Sequence, residues 1–212
     1  MRAILSNPVL YRLSQNIVGS AGKSFYDFLR FVLIEARNTS GELPTVLDLG
    51  CGEGRLAGEI GHISRYHGVD ISERYIEYAR NHYNAFGTFT VLDITSNLDV
   101  LLAAKPDFIL MVGVIHHIDD RSISAINEAI DRRSVDSVFI SGDGVLLENQ
   151  RVLARLLLAL DRGRFVRSLE AYESLMPKRE FLVTNFNRIP YDQVVFYKNI
   201  DLKARFESFR RT

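Results

Sequence analysis

Apolar and polar positions along this chain switch between two spacings, and the switches mark its elements. Runs suited to buried strands occur at Val46-Leu47-Asp48-Leu49, His67-Gly68-Val69-Asp70-Ile71-Ser72, Phe89-Thr90-Val91-Leu92-Asp93-Ile94, Asp107-Phe108-Ile109-Leu110-Met111-Val112-Gly113-Val114 and Val138-Phe139-Ile140. Helical spacing lies between them. Phe25, Phe28, Leu29, Val32, Leu33 and Ala36 share one helical face, and Asn38 to Pro44 supply stop and turn residues. A second helix starts at Leu56, and Ser72 is placed to cap a third that buries Tyr75, Ile76, Ala79 and Tyr83. Asp120 or Ser122 caps a fourth with Ile123, Ile126 and Ile130 inward, and Leu153, Leu156, Leu157 and Leu160 form a later apolar stripe.

The C-terminal part reads differently. Phe181-Leu182-Val183-Thr184 and Val194-Val195-Phe196-Tyr197 flank turn residues at 187–191 and predict a hairpin, while the tail from Lys203 to Arg211 is basic and reads as exposed. At the other end Asn7-Pro8, Gly19, Ser20 and Gly22 interrupt a helix over 9–18, so residues 1–40 predict a helical arm. Strands alternating with helices argue for a parallel α/β sheet, in which ligands bind outside the carboxyl ends of the strands.

Composition narrows the class. The 212 residues at 24.1 kDa, 47% of them apolar, suffice for one domain spanning 1–212. Zero net charge and a pI near 7.0 argue against nucleic acid and anionic membranes as partners. The single cysteine, Cys51, and the want of a long apolar run point to a reducing cytoplasm and no membrane span.

The candidate chemistry sits where the strands end. Gly50-Cys51-Gly52-Glu53-Gly54 follows the first apolar run, with glycine spacing shorter than the Gly-x-Gly-x-x-Gly dinucleotide fingerprint. Asp70 lies 22 residues after Asp48 (70 minus 48), where a carboxylate can accept from a ribose diol. Asp93 can accept from the exocyclic amine of an adenine, with Ile71 or Ile94 covering the ring. His117 first and His116 second are candidate general bases near neutral pH, although packing between strand and helix would account for either. No cysteine or acid stands at ligand spacing around the two histidines, so no metal is expected.

The ordered set Asp48-Leu49-Gly50-Cys51-Gly52-Glu53-Gly54, Gly68-Val69-Asp70-Ile71-Ser72, Leu92-Asp93-Ile94 and the run from Asp107 to Asp120 resembles the class I S-adenosylmethionine-dependent methyltransferases over roughly 45–142. The resemblance implies a Rossmann-like doubly wound sheet of seven strands, mostly parallel with a C-terminal antiparallel strand. It implies S-adenosylmethionine as cofactor and S-adenosylhomocysteine as product. Gly50, Cys51 and Gly52 would hold the methionine part through backbone groups, Asp70 the ribose and Asp93 the adenine amine. Val112 and Gly113 would lie near the reacting methyl, and Asp48 would orient the loop or reach the amino group through water.

Substrate selection is then expected in the arm, through Tyr11 or Lys23, and in a 145–180 insertion, through Arg164, Arg167 and Tyr172. The expected acceptor is a small molecule, with oxygen preferred to nitrogen because no Asn-Pro-Pro-Tyr type of motif follows the fourth strand. A non-catalytic cofactor- or partner-binding protein of the same fold is the other reading, and a monomer or homodimer is expected.

Overall fold

The apolar runs line up as one sheet in the order β3-β2-β1-β4-β5-β7-β6. The computed structural model describes residues 25–159, 164–186 and 192–211. Helix α1 covers 25–40, followed by β1 (Thr45–Leu49), α2 (Arg55–Ile60), β2 (Arg65–Asp70), α3 (Glu73–Tyr83) and β3 (Thr88–Val91). After α4 (Ile94–Leu102) come β4 (Phe108–Val112), a 3-10 turn at Ile115–His117, α5 (Asp120–Arg133) and β5 (Val138–Gly144). The chain ends with α6 (Val152–Ala159), α7 (Leu169–Leu175), β6 (Glu180–Thr184), β7 (Gln193–Lys198) and α8 (Leu202–Phe209).

Neighbours from β3 through β5 are parallel, and β7 runs antiparallel to both β5 and β6. The expected seven-stranded sheet with its antiparallel C-terminal strand is therefore present. The chain reverses its direction of travel across the sheet between β1 and β4, which is where open α/β sheets open a ligand crevice.

Two cores sandwich the sheet, and the pleat assigns residues to them. On β1, Val46 faces α1, α2, α3 and α8, while Leu47 and Leu49 face α4, α5 and α7. Both faces are apolar, so the central strands read as continuous apolar runs. The outer end of the first core is aromatic. Phe28 stacks on Phe186 at 5.7 Å between centroids and meets Phe206 and Phe209 at 5.4 Å each. The tail forms a helix whose Lys203, Glu207, Arg210 and Arg211 are exposed, as expected, while one face is packed: Asp201 caps α8, Leu202 before the tail is buried, and Arg205 Nε lies 3.1 Å from Glu35 Oε2 on α1. Its basic residues had masked the spacing of Leu202, Phe206 and Phe209.

Other boundaries moved for local reasons. The third strand stops at Val91, because Asp93 caps a helix not anticipated from sequence, α4, whose Ile94, Leu98 and Leu102 are buried at four-residue steps. Helix α5 is capped by Asp119, which accepts from Ser122 N–H at 3.0 Å; neither Asp120 nor Ser122 caps it. Strand β5 runs on through Ser141-Gly142-Asp143-Gly144 because β7 extends the ladder there. On α6 the buried face carries Ala154 and Leu158, and Leu153 and Leu156 of the expected stripe stand 52% and 51% exposed. Arg155 fixes that rotation by reaching back to the Leu147 and Glu148 carbonyls. The arm over 1–22 and the turn at 187–191 lie outside the described residues. No described helix is long and apolar enough to cross a membrane.

Phe28→Ala removes the ring shared by α1, α8 and Phe186. Equilibrium urea unfolding should show a loss of about 3–5 kcal/mol, and a loss below about 1 kcal/mol would mean that the aromatic cluster does not hold α8 down.

Candidate active site at the carboxyl ends of the strands

The glycine loop leaves β1 and is tied at once to its neighbour strand. Gly50 and Cys51 both donate their N–H groups to the Val69 carbonyl, at 2.8 and 2.9 Å. Gly50 sits at φ 81°, and a Cβ there would lie 2.5 Å from Val114 Cγ2. Gly52 also has positive φ, 53°, but nothing lies within 4 Å of where its Cβ would be. The first glycine is therefore demanded by the neighbouring loop, and the second presents bare backbone to open space. Cys51 turns its thiol onto Gly68 of β2, where an added Cβ would meet Sγ at 2.8 Å, and burial pushes the thiol pKa up so that it stays protonated.

Three acids stand around this loop in three environments. Asp70, at the end of β2, accepts Gly52 N–H at 3.0 Å on one oxygen and Ser72 N–H at 2.8 Å on the other. Each oxygen keeps a lone pair for a further donor. Asp93 takes Thr95 N–H and Oγ1–H on a single oxygen, bonds that hold its carboxyl below the usual range, and its other oxygen has no bond among the described residues. Between them Ile71 stands 70% exposed, whereas Ile94 is buried in the second core. Of the two isoleucines, only Ile71 presents an apolar face at the strand ends.

Asp48 is buried beneath the loop and accepts a short hydrogen bond from the Tyr66 hydroxyl of β2. Burial drives its pKa from 3.8 up to about 7, against the pull of Tyr66 and with a push from Asp70. Burial and the Asp48 charge raise the Tyr66 hydroxyl in turn, and Tyr26 on α1 is raised to about 12 by burial and Asp48.

The opposite wall comes from β4 and β5. Gly113 N–H donates to Gly142 O at 2.8 Å, joining the half-buried end of β4 at Val112 to β5, and the 3-10 turn then carries His116 and His117. His116 is buried, its Nδ1 lies 2.6 Å from Asp143 Oδ1, and its backbone N–H reaches the same oxygen at 3.2 Å. His117 is exposed, with its ring centroid 4.2 Å from that of His116. Asp143 is the site residue that sequence reasoning missed. It stands three residues beyond the Val138-Phe139-Ile140 run, like the acids at the ends of the earlier strands.

The expected substrate residues scatter. Arg167 is buried and all five of its N–H donors are committed within the protein: Nε and Nη2 to Asp120 Oδ1, Nη2 also to Ile118 O, and Nη1 to the Ile115 and Phe165 carbonyls. It locks the 164–168 segment onto the histidine turn, leaving no donor for an anionic acceptor. Tyr172 is likewise core, its hydroxyl donating to Gly144 O at 3.3 Å. Arg164 is exposed on the adjoining turn, and Tyr11 and Lys23 lie outside the described residues. Among the described residues no three potential metal ligands gather.

Asp48 makes stability depend on pH. The folded chain keeps this proton between about pH 3.8 and about 7, where the unfolded chain has lost it, so stability falls as pH rises through that window. Asp48→Asn removes the effect. The melting temperature of the variant minus that of the parent should increase between pH 5 and pH 8, and a difference that stays flat would mean that Asp48 is ionised in the folded state throughout.

Comparison with known proteins agrees with this layout. The model of a methyltransferase domain matches residues 46–154, just over half of the chain. No curated protein sequence matches it significantly. Among solved structures, human N-acetylserotonin methyltransferase in complex with S-adenosylmethionine is 22% identical with a TM-score of 0.58, covering 74% of this chain and 48% of that one. Mitomycin 7-O-methyltransferase is 18% identical with a TM-score of 0.60, covering 74% and 49%. This chain thus spans about half the length of each of those two. Magnesium protoporphyrin IX methyltransferase from Synechocystis PCC 6803, with bound S-adenosylhomocysteine, is 16% identical with a TM-score of 0.61, covering 91% and 94%. At these identities the likeness is one of fold. The strand order, the glycine loop and the matched domain together make this chain a member of the class I S-adenosylmethionine-dependent methyltransferase family.

Proposed function

We propose that this protein transfers a methyl group from S-adenosylmethionine to a hydroxyl of a small-molecule acceptor. The observation that carries the cofactor half is the open backbone at Gly52, held by Asp70, with Ile71 exposed beside it and an unbonded Asp93 oxygen beyond. These groups fit the donor: Gly50 to Gly52 for the methionine part, Asp70 for the ribose hydroxyls, Ile71 and Asp93 for the adenine face and amine. When bound, S-adenosylmethionine supplies a methyl on a sulfonium, already activated for direct displacement, so the protein contributes chiefly position.

A hydroxyl acceptor must also lose its proton. His116 is taken as the base, and what supports it is the 2.6 Å bond from Nδ1 to buried Asp143. That bond holds the ring in the tautomer with Nδ1–H, so Nε2 is the nitrogen that can take the acceptor proton, and Asp143 stabilises the resulting imidazolium. Asp143 acts through His116 and is a positioning residue. The 145–180 region, with α6 exposed and Arg167 fixing the 164–168 segment, is read as the acceptor side, together with the N-terminal arm. A mitomycin 7-O-methyltransferase among the structural neighbours agrees with an oxygen acceptor.

Two experiments test this. Titration calorimetry should detect S-adenosylhomocysteine binding, weakened in Asp70→Ala by about 1.5–3 kcal/mol for a lost charge-assisted hydrogen bond; binding to NAD with none to S-adenosylhomocysteine would overturn the cofactor assignment. Once labelled donor has identified an acceptor, His116→Gln should lower kcat by about 10²–10⁴-fold and abolish the acidic limb of the pH profile, along which activity rises as the base loses its proton. Asp143→Asn should shift that limb with little change in KM. A full loss in His117→Ala with His116→Gln active would reverse the choice of base.

A further inference from the structure

At the amino ends of β1, β2 and β3, remote from the glycine loop, lies a second concavity of about 500 Å³. Small-molecule sites span roughly 300–1,000 Å³. Its walls are largely apolar: Leu101, Ala104 and Pro106 at the end of α4 form one side, and Phe86 before β3 another. Phe86 keeps 36% of its surface exposed there. The polar groups of the lining are mostly committed elsewhere. Ser64 Oγ donates to Ile60 O at 2.8 Å, Thr45 Oγ1 donates to Asp107 Oδ2 at 2.7 Å, and His67 Nε2 pairs with Thr90 Oγ1 at 3.0 Å. Burial lowers the His67 pKa and favours its neutral form.

Arg65 differs from the rest of the lining. It begins β2, it is the one side chain of the lining that is charged at all ordinary pH, and among the described residues its guanidinium has no hydrogen bond or ion pair. Its backbone is fixed, since its N–H donates to Pro44 O at 2.8 Å and the residue pairs with Thr45 across the sheet. Buried or half-buried arginines such as Arg30, Arg167 and Arg179 are anchored on a carboxylate or a carbonyl, whereas the exposed Arg65 guanidinium is not. An apolar cavity with one unpaired guanidinium at its mouth has the chemistry to bind an apolar body ending in a carboxylate, which a guanidinium grips bidentately.

We propose that this cavity is a second ligand site, separate from the methyl-transfer site, for a small amphipathic carboxylate. The carboxylate lies on Arg65, and the apolar body lies between Phe86 and the Leu101-Ala104-Pro106 edge. The site does not depend on which methyl acceptor the protein takes, because it opens at the opposite ends of the strands.

Octanoate is the probe, titrated into the whole protein by calorimetry, with 1-octanol as the uncharged control. Saturable one-to-one binding of octanoate is expected, with 1-octanol binding more weakly. Arg65→Gln should weaken octanoate by about tenfold or more, as loss of a charged hydrogen-bonding partner does. Ala104→Trp, at an exposed position that tolerates bulk, should fill the cavity and abolish binding while the thermal melt stays that of the parent. Saturating S-adenosylhomocysteine should leave octanoate binding intact. No saturable binding, equal affinity in Arg65→Gln, or displacement by S-adenosylhomocysteine would each overturn the proposal.

Discussion

Gly50 and Val114 approach so closely that the Cβ denied to one is the space occupied by the methyl groups of the other. That contact joins the loop after β1 to the loop after β4, the two strands that flank the point where the chain reverses across the sheet. Once it is made, the first loop has little choice of path. The Gly50 and Cys51 N–H groups fall on Val69 O, and Gly52 N–H falls on Asp70. On the other side the 3-10 turn carrying the histidines starts immediately after Val114. One steric fit therefore sets the distance between the cofactor loop and the candidate base, which is why the two halves of the site act as one.

The four acids of the site show how little residue type says about role. Asp70 is half-buried and holds backbone N–H groups, so it stays an acceptor; Asp93 is half-buried too and caps α4 with one oxygen. Asp48 is sealed under the loop against Tyr66, where burial favours its protonated form near neutral pH. Asp143 is buried on β5 and faces His116. Burial and partners, not the carboxylate itself, give the four their different environments.

The segment after α6 is built by a different logic. Arg167 gathers the Ile115, Ile118 and Phe165 carbonyls and Asp120 around one guanidinium, so the segment after α6 is fastened to the turn that bears the histidines. A buried cation of this kind is stable only because every donor is met. It holds the 164–168 segment and the histidine turn in register, and α6 remains mostly outside, with Leu153 and Leu156 turned to solvent.

What the chain settles locally could be read from it directly. The strands at 46–49, 67–70, 108–112 and 181–184, the helices around Phe28, Ile76 and Ile126, and the glycine loop with the acid that follows at Asp70 depend on periodicity and backbone freedom within a few residues of each other. The cap of Asp93 and the packing of α8 were also local or aromatic signals, obscured by polar neighbours. The pairing of His116 with Asp143 and of Arg167 with Asp120 was of another kind. Those partners stand 27 and 47 residues apart, and only the placing of β5 beside β4, and the return of the 164–168 segment over the histidine turn, brings them to hydrogen-bonding distance. Sequence determined where the cofactor loop lies and what it is made of; tertiary structure brought Asp143 behind His116 and occupied Arg167, because those are properties of contacts across the sheet and not of any stretch of chain.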